Sequence, residues 1–327
     1  MLCVYHRETD PYFHLAAEEY LLKERSEDWF MLWRSTPSVI VGKHQNAYAE
    51  VNLAYVTAQQ IPVVRRLSGG GTVFHDLGNL NFTFIMGGQE HGKVDFRRYT
   101  RPLLEVLHAL DLPARFEGKN DLRIKGKKCS GNAEYLYKQR ILHHGTLLFA
   151  SQLGVLRQAL AVDLRKYEDN SIKSIRSQVT NISEHLRQPL TIQAFVDMVL
   201  RHILETHPGA APYEFDECDL RRIRELRDQK YVTWEWNFGT SPKYTFRNAV
   251  STNDGKRVEI ELHVERGIIR EVVLRGDGLE RAECAAIERI LVDTGHGKDH
   301  LREKFLQADI GACLSDISIA ELIEAMF

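Results

Sequence analysis

The sequence predicts an α+β protein in two parts: a large part with a mixed β-sheet flanked by helices, and a small α/β part at the C-terminal end. Three observations predict it. Short strand-like runs follow one another between residues 30 and 150 with only occasional helical stretches, so strict βαβ alternation is absent. A long helical stretch then covers roughly 191–228. Beyond "WEWNFGTSPKY" (Trp234–Tyr244), which reads as a Gly/Ser/Pro-bearing connector, the pattern restarts with period-two alternation.

In chain order, "TDPYFHLAAEEYLLKER" reads as a helix. Asp10 caps it, Pro11 suits its first turn, and Phe13, Ala16, Ala17, Tyr20 and Leu21 share one face. "FMLWR", "SVIVG", "PVVRR", "TVFHD" and "LNFTFIM" read as strands. "YTRPLLEVLHALDL" restores a helical period, and "DLRI", "NAEYLY" and "HHGTLLFA" are strands again. Pro208 and Pro212 interrupt the later helical stretch. "RVEIELHVERGIIREVVLRGDG" alternates Val258, Ile260, Leu262 and Val264 and turns at Arg266–Gly267, a hairpin signal. Three short helical patterns close the chain, and the best division leaves parts of 1–245 and 246–327.

Composition narrows the function classes. A chain of 327 residues with 43% hydrophobic and 27% charged residues is an ordinary globular protein of two-domain size. A formal net charge of −2 exerts no global pull on nucleic acid or membrane, so any anion site is local. No apolar run approaches the ~20 residues of a membrane span, and the N-terminus lacks a secretory pattern. Cys3, Cys129, Cys218, Cys284 and Cys313 are odd in number and scattered, with no C-x-x-C pair. A disulfide framework and a zinc site are both disfavoured, and a cytoplasmic setting is expected.

"RRLSGGGTVFHD" (Arg65–Asp76) is the first candidate site. It is not a Walker loop, because no Lys follows Gly71. Nor is it a dinucleotide fingerprint, since strand-like runs flank it on both sides. Consecutive glycines let backbone N–H groups converge on an anion, and they equally suit a tight hairpin. Arg65 and Arg66 alternate, so one of them is expected to face the loop's ligand.

The second candidate is "GKNDLRIKGKKCSGNAEYLYKQR" (Gly118–Arg140), with seven Lys/Arg against one Asp and one Glu. Lys125 and Lys138 suit a solvated hairpin. Lys128 stands two residues before Ser130–Gly131, where a ligand can approach the chain and meet an ammonium. Asn120–Asp121 adds an oxygen ligand for Mg²⁺. Two such anion-friendly loops suit activation of a carboxylate by a nucleotide.

"RRLSGGGTVFHDLGNLNFTF", "KNDL", "KKCSGNA", "HHGTLL", "SIRSQVTN" and "WEWNFG" occur in the order found in lipoate–protein ligases, and the N-terminal segments are similar too. The sequence resembles that family over about residues 10–240, and its last part resembles the accessory domain of the long bacterial ligases. The resemblance implies the catalytic fold shared with biotin–protein ligases. It also implies a two-step reaction: lipoate and ATP form lipoyl-AMP, and a carrier lysine then takes the acyl group as an amide. The carriers implied are lipoyl domains of 2-oxoacid dehydrogenase E2 subunits or the glycine-cleavage H protein.

Transferred by motif, Arg66, Ser68, Gly69, Gly70, Gly71, Thr72, Val73 and Phe74 would contact ATP or the adenylate, with Asn120 and Asp121 near phosphate and Mg²⁺. Lys128 would be catalytic and touch both acid and nucleotide, while Gly42, His75 and His144 would line the lipoate pocket. The alternatives are an ATP-independent lipoyl or octanoyl transferase, for which Cys129 is the residue to inspect, and a transferase that uses preformed lipoyl-AMP. A non-catalytic module using the basic segment is disfavoured by the near-neutral total charge.

Overall fold

The computed structural model describes residues 1–87, 95–251, 255, 257–277, 280–308 and 317–327; Cys313 lies outside them. In chain order the chain forms β1 (Leu2–Tyr5), α1 (Pro11–Lys23), β2 (Trp29–Trp33), β3 (Ser38–Val41), α2 (Leu53–Ala58), β4 (Val63–Arg65), β5 (Val73–His75) and β6 (Asn79–Met86). Next come α3 (Phe96–Ala109), β7 (Ala114–Glu117), β8 (Asp121–Ile124), β9 (Lys127–Tyr137), β10 (Arg140–Leu148), α4 (Leu153–Ala159) and β11 (Tyr167–Asp169). The rest is α5 (Ile192–Thr206), β12 (Ala211–Pro212), α6 (Glu217–Leu226), β13 (Tyr244–Ser251), β14 (Arg257–Glu265), β15 (Ile268–Gly276), α7 (Arg281–Leu291), α8 (Lys298–Gln307) and α9 (Ile319–Ala325).

These elements fall into two compact units, each drawn from three chain segments. The first unit takes Met1–Lys43, Gln60–Gln158 and Ser174–Val232; the second takes His44–Gln59, Ala159–Lys173 and Thr233–Phe327.

The first unit is built on a mixed sheet in the order β12-β1-β2-β6-β10-β9-β8-β7. β12, β1 and β2 run parallel, and the remaining pairings are antiparallel. Side chains alternate between its faces. Thr83 and His144 form one cross-strand pair and Phe84 and His143 the next. Phe84 and His143 turn toward Tyr99 of α3, in a core that also contains Phe30, Phe82, Leu103, Leu107, Phe195 and Val199. Thr83 and His144 turn toward α1.

Asp10 caps α1 as expected, its Oδ1 accepting from Tyr12 N at 2.9 Å, with Pro11 in the first turn. Phe13, Ala16, Ala17, Tyr20 and Leu21 are all buried, but burial is not confined to their face. α1 is buried nearly all round, including His14, Glu18 and Glu19. It packs between the sheet and α6, so its polar side chains must find partners inside the protein.

A smaller sheet, in the order β4-β3-β5, carries the glycine segment. β4 runs parallel to β3 and β5 antiparallel, so the Gly-rich connection passes across β3. That removes the hairpin reading. "KKCSGNA" is likewise strand rather than loop, since it lies within β9. Leu122 pairs with Ser130 and Arg123 with Lys128, which makes Cys129 the extra residue of a bulge that re-aims Lys128.

In the second unit, β11-β13-β14-β15 form a sheet whose Val258, Ile260, Leu262 and Val264 are buried with Ile287, Leu291, Leu301, Phe305 and Leu322 of α7, α8 and α9. Arg266 and Gly267 make the expected hairpin turn at φ 50° and 73°. A Cβ on Gly267 would also lie 2.7 Å from the Trp234 ring, so close approach and turn geometry both require glycine. Trp234–Tyr244, read as a connector, instead holds a helical turn over Glu235–Gly239 packed within this unit. Among the described residues no helix is long and apolar enough to cross a membrane.

Candidate functional site

The glycine loop is shaped by Arg66. Its Nη2 donates to Gly69 O at 2.7 Å and Gly71 O at 2.8 Å, its Nη1 to Ile40 O at 3.1 Å and its Nε to Ser68 Oγ at 2.9 Å. Peptide units are planar and trans, so turning the Gly69 and Gly71 carbonyls toward Arg66 points the N–H groups of Gly70 and Thr72 the opposite way. Gly70 adopts φ +88°, a conformation that a side chain would strain. The Gly70 N–H is left facing outward as an anion donor, while the Thr72 N–H meets Ser174 Oγ at 2.8 Å. Arg65 is buried as well and donates to Gly42 O at 3.0 Å. Both guanidinium groups of the pair are therefore held by main-chain carbonyls. Burial pulls Arg66 down to about 10, and the charge of Glu18 offsets part of that.

Lys128 projects from β9 with its Nζ 2.8 Å from Asp121 Oδ1. Arg123 holds the other oxygen of Asp121 at 2.9 Å. Gly131 makes room for the lysine, because a Cβ there would lie 2.8 Å from both Lys128 Cε and Nζ. Asn120 fastens the neighbouring strand, accepting from Asn132 N at 3.1 Å and Asn132 Nδ2 at 2.9 Å.

One segment joins the two halves. Ser174 Oγ accepts from Thr72 N at 2.8 Å. Four residues on, Lys128 N donates to Gln178 O at 2.8 Å and Thr180 N to Lys128 O at 3.0 Å. Ser174, Gln178 and Thr180 were not among the residues singled out in the sequence, although "SIRSQVTN" contains them; nothing in their spacing indicates what they touch.

Behind the loop lies a buried polar relay. Ser68 Oγ is 2.5 Å from His144 Nε2, and His144 Nδ1 is 2.9 and 3.0 Å from the Glu18 oxygens. Thr83 Oγ1 donates to Glu18 at 2.6 Å and accepts from Trp33 Nε1 at 3.2 Å. His75 is buried beside Trp33, their ring centroids 5.5 Å apart, and burial followed by the charge of Arg66 pushes it down to about 3. Of the other expected residues, Gly42 precedes Lys43, whose N–H donates to Ser68 O at 2.9 Å. Val73 and Phe74 start β5, with Phe74 buried.

Cys129 is fully buried, its Sγ donates to Leu122 O at 3.4 Å, and burial pushes its thiol up to about 12. A thiol so placed is a poor nucleophile. Asp121 is a single carboxylate shared by two cations, and among the described residues no group of three or more His, Cys, Asp or Glu side chains is placed to hold a metal ion. Mg²⁺ is usually held by one or two carboxylates together with nucleotide phosphates and water, and Asp121 is the residue that would supply such an oxygen ligand.

A mixed sheet bearing a glycine loop and a strand-borne lysine belongs to the biotin/lipoate-ligase class of catalytic domains. The Lipoyl protein ligase A/B catalytic domain family matches residues 10–204, and the Bacterial lipoate protein ligase C-terminus family matches residues 241–326. The chain belongs to the lipoate–protein ligase A family and has its two-domain architecture. It is 39% identical over 321 residues to Lipoate–protein ligase 1 of Staphylococcus aureus, covering 97% of each chain. Among solved structures, it is similar to a bi-partite lipoate protein ligase of Thermoplasma acidophilum, described with its E2 lipoyl domain. That match has 27% identity and a TM-score of 0.60, over 73% of this chain and 95% of the other. A lipoate-protein ligase A bound with ATP is similar at 26% identity and a TM-score of 0.61, over 73% and 98% of the two chains.

Proposed function

We propose that the chain activates lipoate with ATP as lipoyl-AMP and then transfers the lipoyl group to a lysine of a carrier domain. The observation that carries this reading is the Ser174–Thr180 segment, which ties the glycine loop and Lys128 into one site. In this reading Lys128 bridges the acyl carbonyl and the α-phosphate. Ser68, Gly69, Gly70, Gly71, Thr72, Val73 and Phe74 form the nucleotide side, with Asn120 and Asp121 beside the phosphate and Gly42, His75 and His144 along the acid. Residues 1–245 carry the chemistry and 246–327 are accessory. The carriers are E2 lipoyl domains or the H protein, and the setting is the cytoplasm.

The chemistry suits these groups. A carboxylate attacking a polyanionic phosphate meets like-charge repulsion, which an ammonium and aligned N–H groups offset. Holding the reactants in line lowers the barrier by up to ~7–11 kcal/mol. The acceptor lysine must be neutral, which costs about 4.6 kcal/mol at pH 7 from a free pKa of ~10.4.

The test is exchange of labelled pyrophosphate into ATP with lipoate, octanoate or biotin as the acid. Exchange that depends on lipoate or octanoate supports the reading. Carrier acylation from an acyl-carrier donor, with no exchange, would support an ATP-independent transferase; acylation from lipoyl-AMP alone would support a transferase that uses it.

A further inference from the structure

The relay behind the glycine loop takes its direction from its Glu18 end. Arginine donates and never accepts, so Ser68 Oγ is the acceptor in its contact with Arg66 Nε. Ser68 keeps its hydrogen and a second lone pair for the 2.5 Å contact with His144 Nε2, so the other side of the imidazole sets the direction. Glu18 as a carboxylate can only accept, so a neutral His144 meets it with Nδ1–H at 2.9 Å and presents the Nε2 lone pair to the Ser68 hydrogen. The second arm enters from the sheet. The Trp33 indole can only donate, so Thr83 accepts from it and passes its own hydrogen to Glu18 at 2.6 Å. Both arms end on Glu18, which accepts at every contact, as a carboxylate does.

We infer that Glu18 is a positioning residue: its carboxylate fixes His144 as the Nδ1–H tautomer, and through Ser68 and Arg66 it sets the shape of the glycine loop. The inference rests on reading that loop as part of the adenylate-forming site. Glu18 touches neither the loop nor any reacting atom. It acts through His144, Ser68 and Arg66, and its charge is the buried counterpart of Arg66. With the relay so directed, Ser68 stays with His144 and Arg66 stays on the Gly69 and Gly71 carbonyls. The outward N–H of Gly70 is thus held in place before any anion arrives, while that of Thr72 is held by Ser174 Oγ.

The groups facing His144 are Glu18 from α1, His75 from β5 and Arg66 beyond Ser68, with His143 next to it on β10.

The test uses the full-length protein with ¹⁵N-labelled histidine, the His144 signals being assigned by comparison with His144→Gln. In the wild type His144 is expected to carry its proton on Nδ1 near neutral pH. In Glu18→Gln that preference is lost, and acid-dependent pyrophosphate exchange falls at least about tenfold in kcat/KM. Glu18→Asp keeps the charge and restores most of both signals. A wild-type His144 protonated on Nε2 would overturn the inference. So would a Glu18→Gln protein with an altered His144 signal but unchanged exchange. Absence of any exchange in the wild type would sink the proposed function instead, and the tautomer measurement would still decide the relay.

Discussion

Glu134 and His143 face each other across β9 and β10, with Glu134 Oε1 2.7 Å from His143 Nδ1 and both side chains closed off from solvent. His143 stacks on Tyr99, and Glu134 Oε2 and His143 Nε2 have no hydrogen-bond partner among the described residues. Burial, with Asp95 adding to it, raises Glu134 to about 7, while burial pushes His143 well below its usual value. This pair lies on the face of the sheet opposite His144.

A pH-dependent stability follows for Glu134. Its contribution is full below about 4.5, where folded and unfolded chains both hold the proton. It is lost as the pH rises through about 7, because the unfolded chain releases the proton first. The loss amounts to roughly 3 kcal/mol. Urea unfolding of wild type and Glu134→Gln between pH 5 and 8 should show the glutamine variant gaining relative stability by about that amount. A difference that does not vary with pH would refute the assignment.

Buried histidines act in the opposite direction. Burial lowers His14 and His75 to about 3 and His296 to about 4. Each supports the fold fully above 6.5, and that support is lost as the pH falls toward the folded values. Each contributes a slope approaching about 1.4 kcal/mol per pH unit. Three such groups outweigh one glutamate, so stability should fall from pH 6.5 to 5. Circular dichroism melts across that range check it, and a flat or rising melting temperature would contradict it.

Arg140 belongs to the basic stretch at 118–140 but serves the fold. Its Nη1 donates to Leu21 O at 2.8 Å and Leu22 O at 3.0 Å and also reaches Arg25 O, while Nη2 reaches Glu27 O. A guanidinium on the carbonyls that end α1 satisfies orphan acceptors and complements the helix dipole. Arg140→Ala should cost about 1–3 kcal/mol in denaturant unfolding. Lysine, which lacks the planar fork, should restore little of it. Pyrophosphate exchange below the melting temperature should be nearly unchanged.

Lys128 and Gly131 allow a test of positioning without loss of charge. Lys128→Ala should lower exchange by at least about a hundredfold with the fold intact. Gly131→Ala places a methyl group where Lys128 Cε and Nζ now lie, and the flexible lysine moves aside. Exchange should therefore drop while the unfolding midpoint shifts little. Near wild-type exchange in Lys128→Ala would remove the lysine from the mechanism.

Much of the fold is legible in the sequence because local physics determines it. The Asp10 cap, the alternation of Val258, Ile260, Leu262 and Val264, and the turn at Arg266–Gly267 each involve neighbours within a few residues. The glycine run and Lys128 are legible for the same reason, since residue type and spacing restrict what such segments can do. The surroundings of α1 are not legible, because helical periodicity cannot say how many sides a helix will have covered.

By itself the sequence determined the α+β class, most of the elements, the family and the two segments from which the site is assembled. Tertiary structure alone decided that the glycine segment crosses β3, that Ser174 meets Thr72 across 102 residues and that Glu18 meets His144 across 126. The physical reason is that a polar side chain carries no mark of its partner. Burial on α1 makes a partner for Glu18 obligatory, and the register of β6 and β10 chooses Thr83 and His144 as the ones within reach.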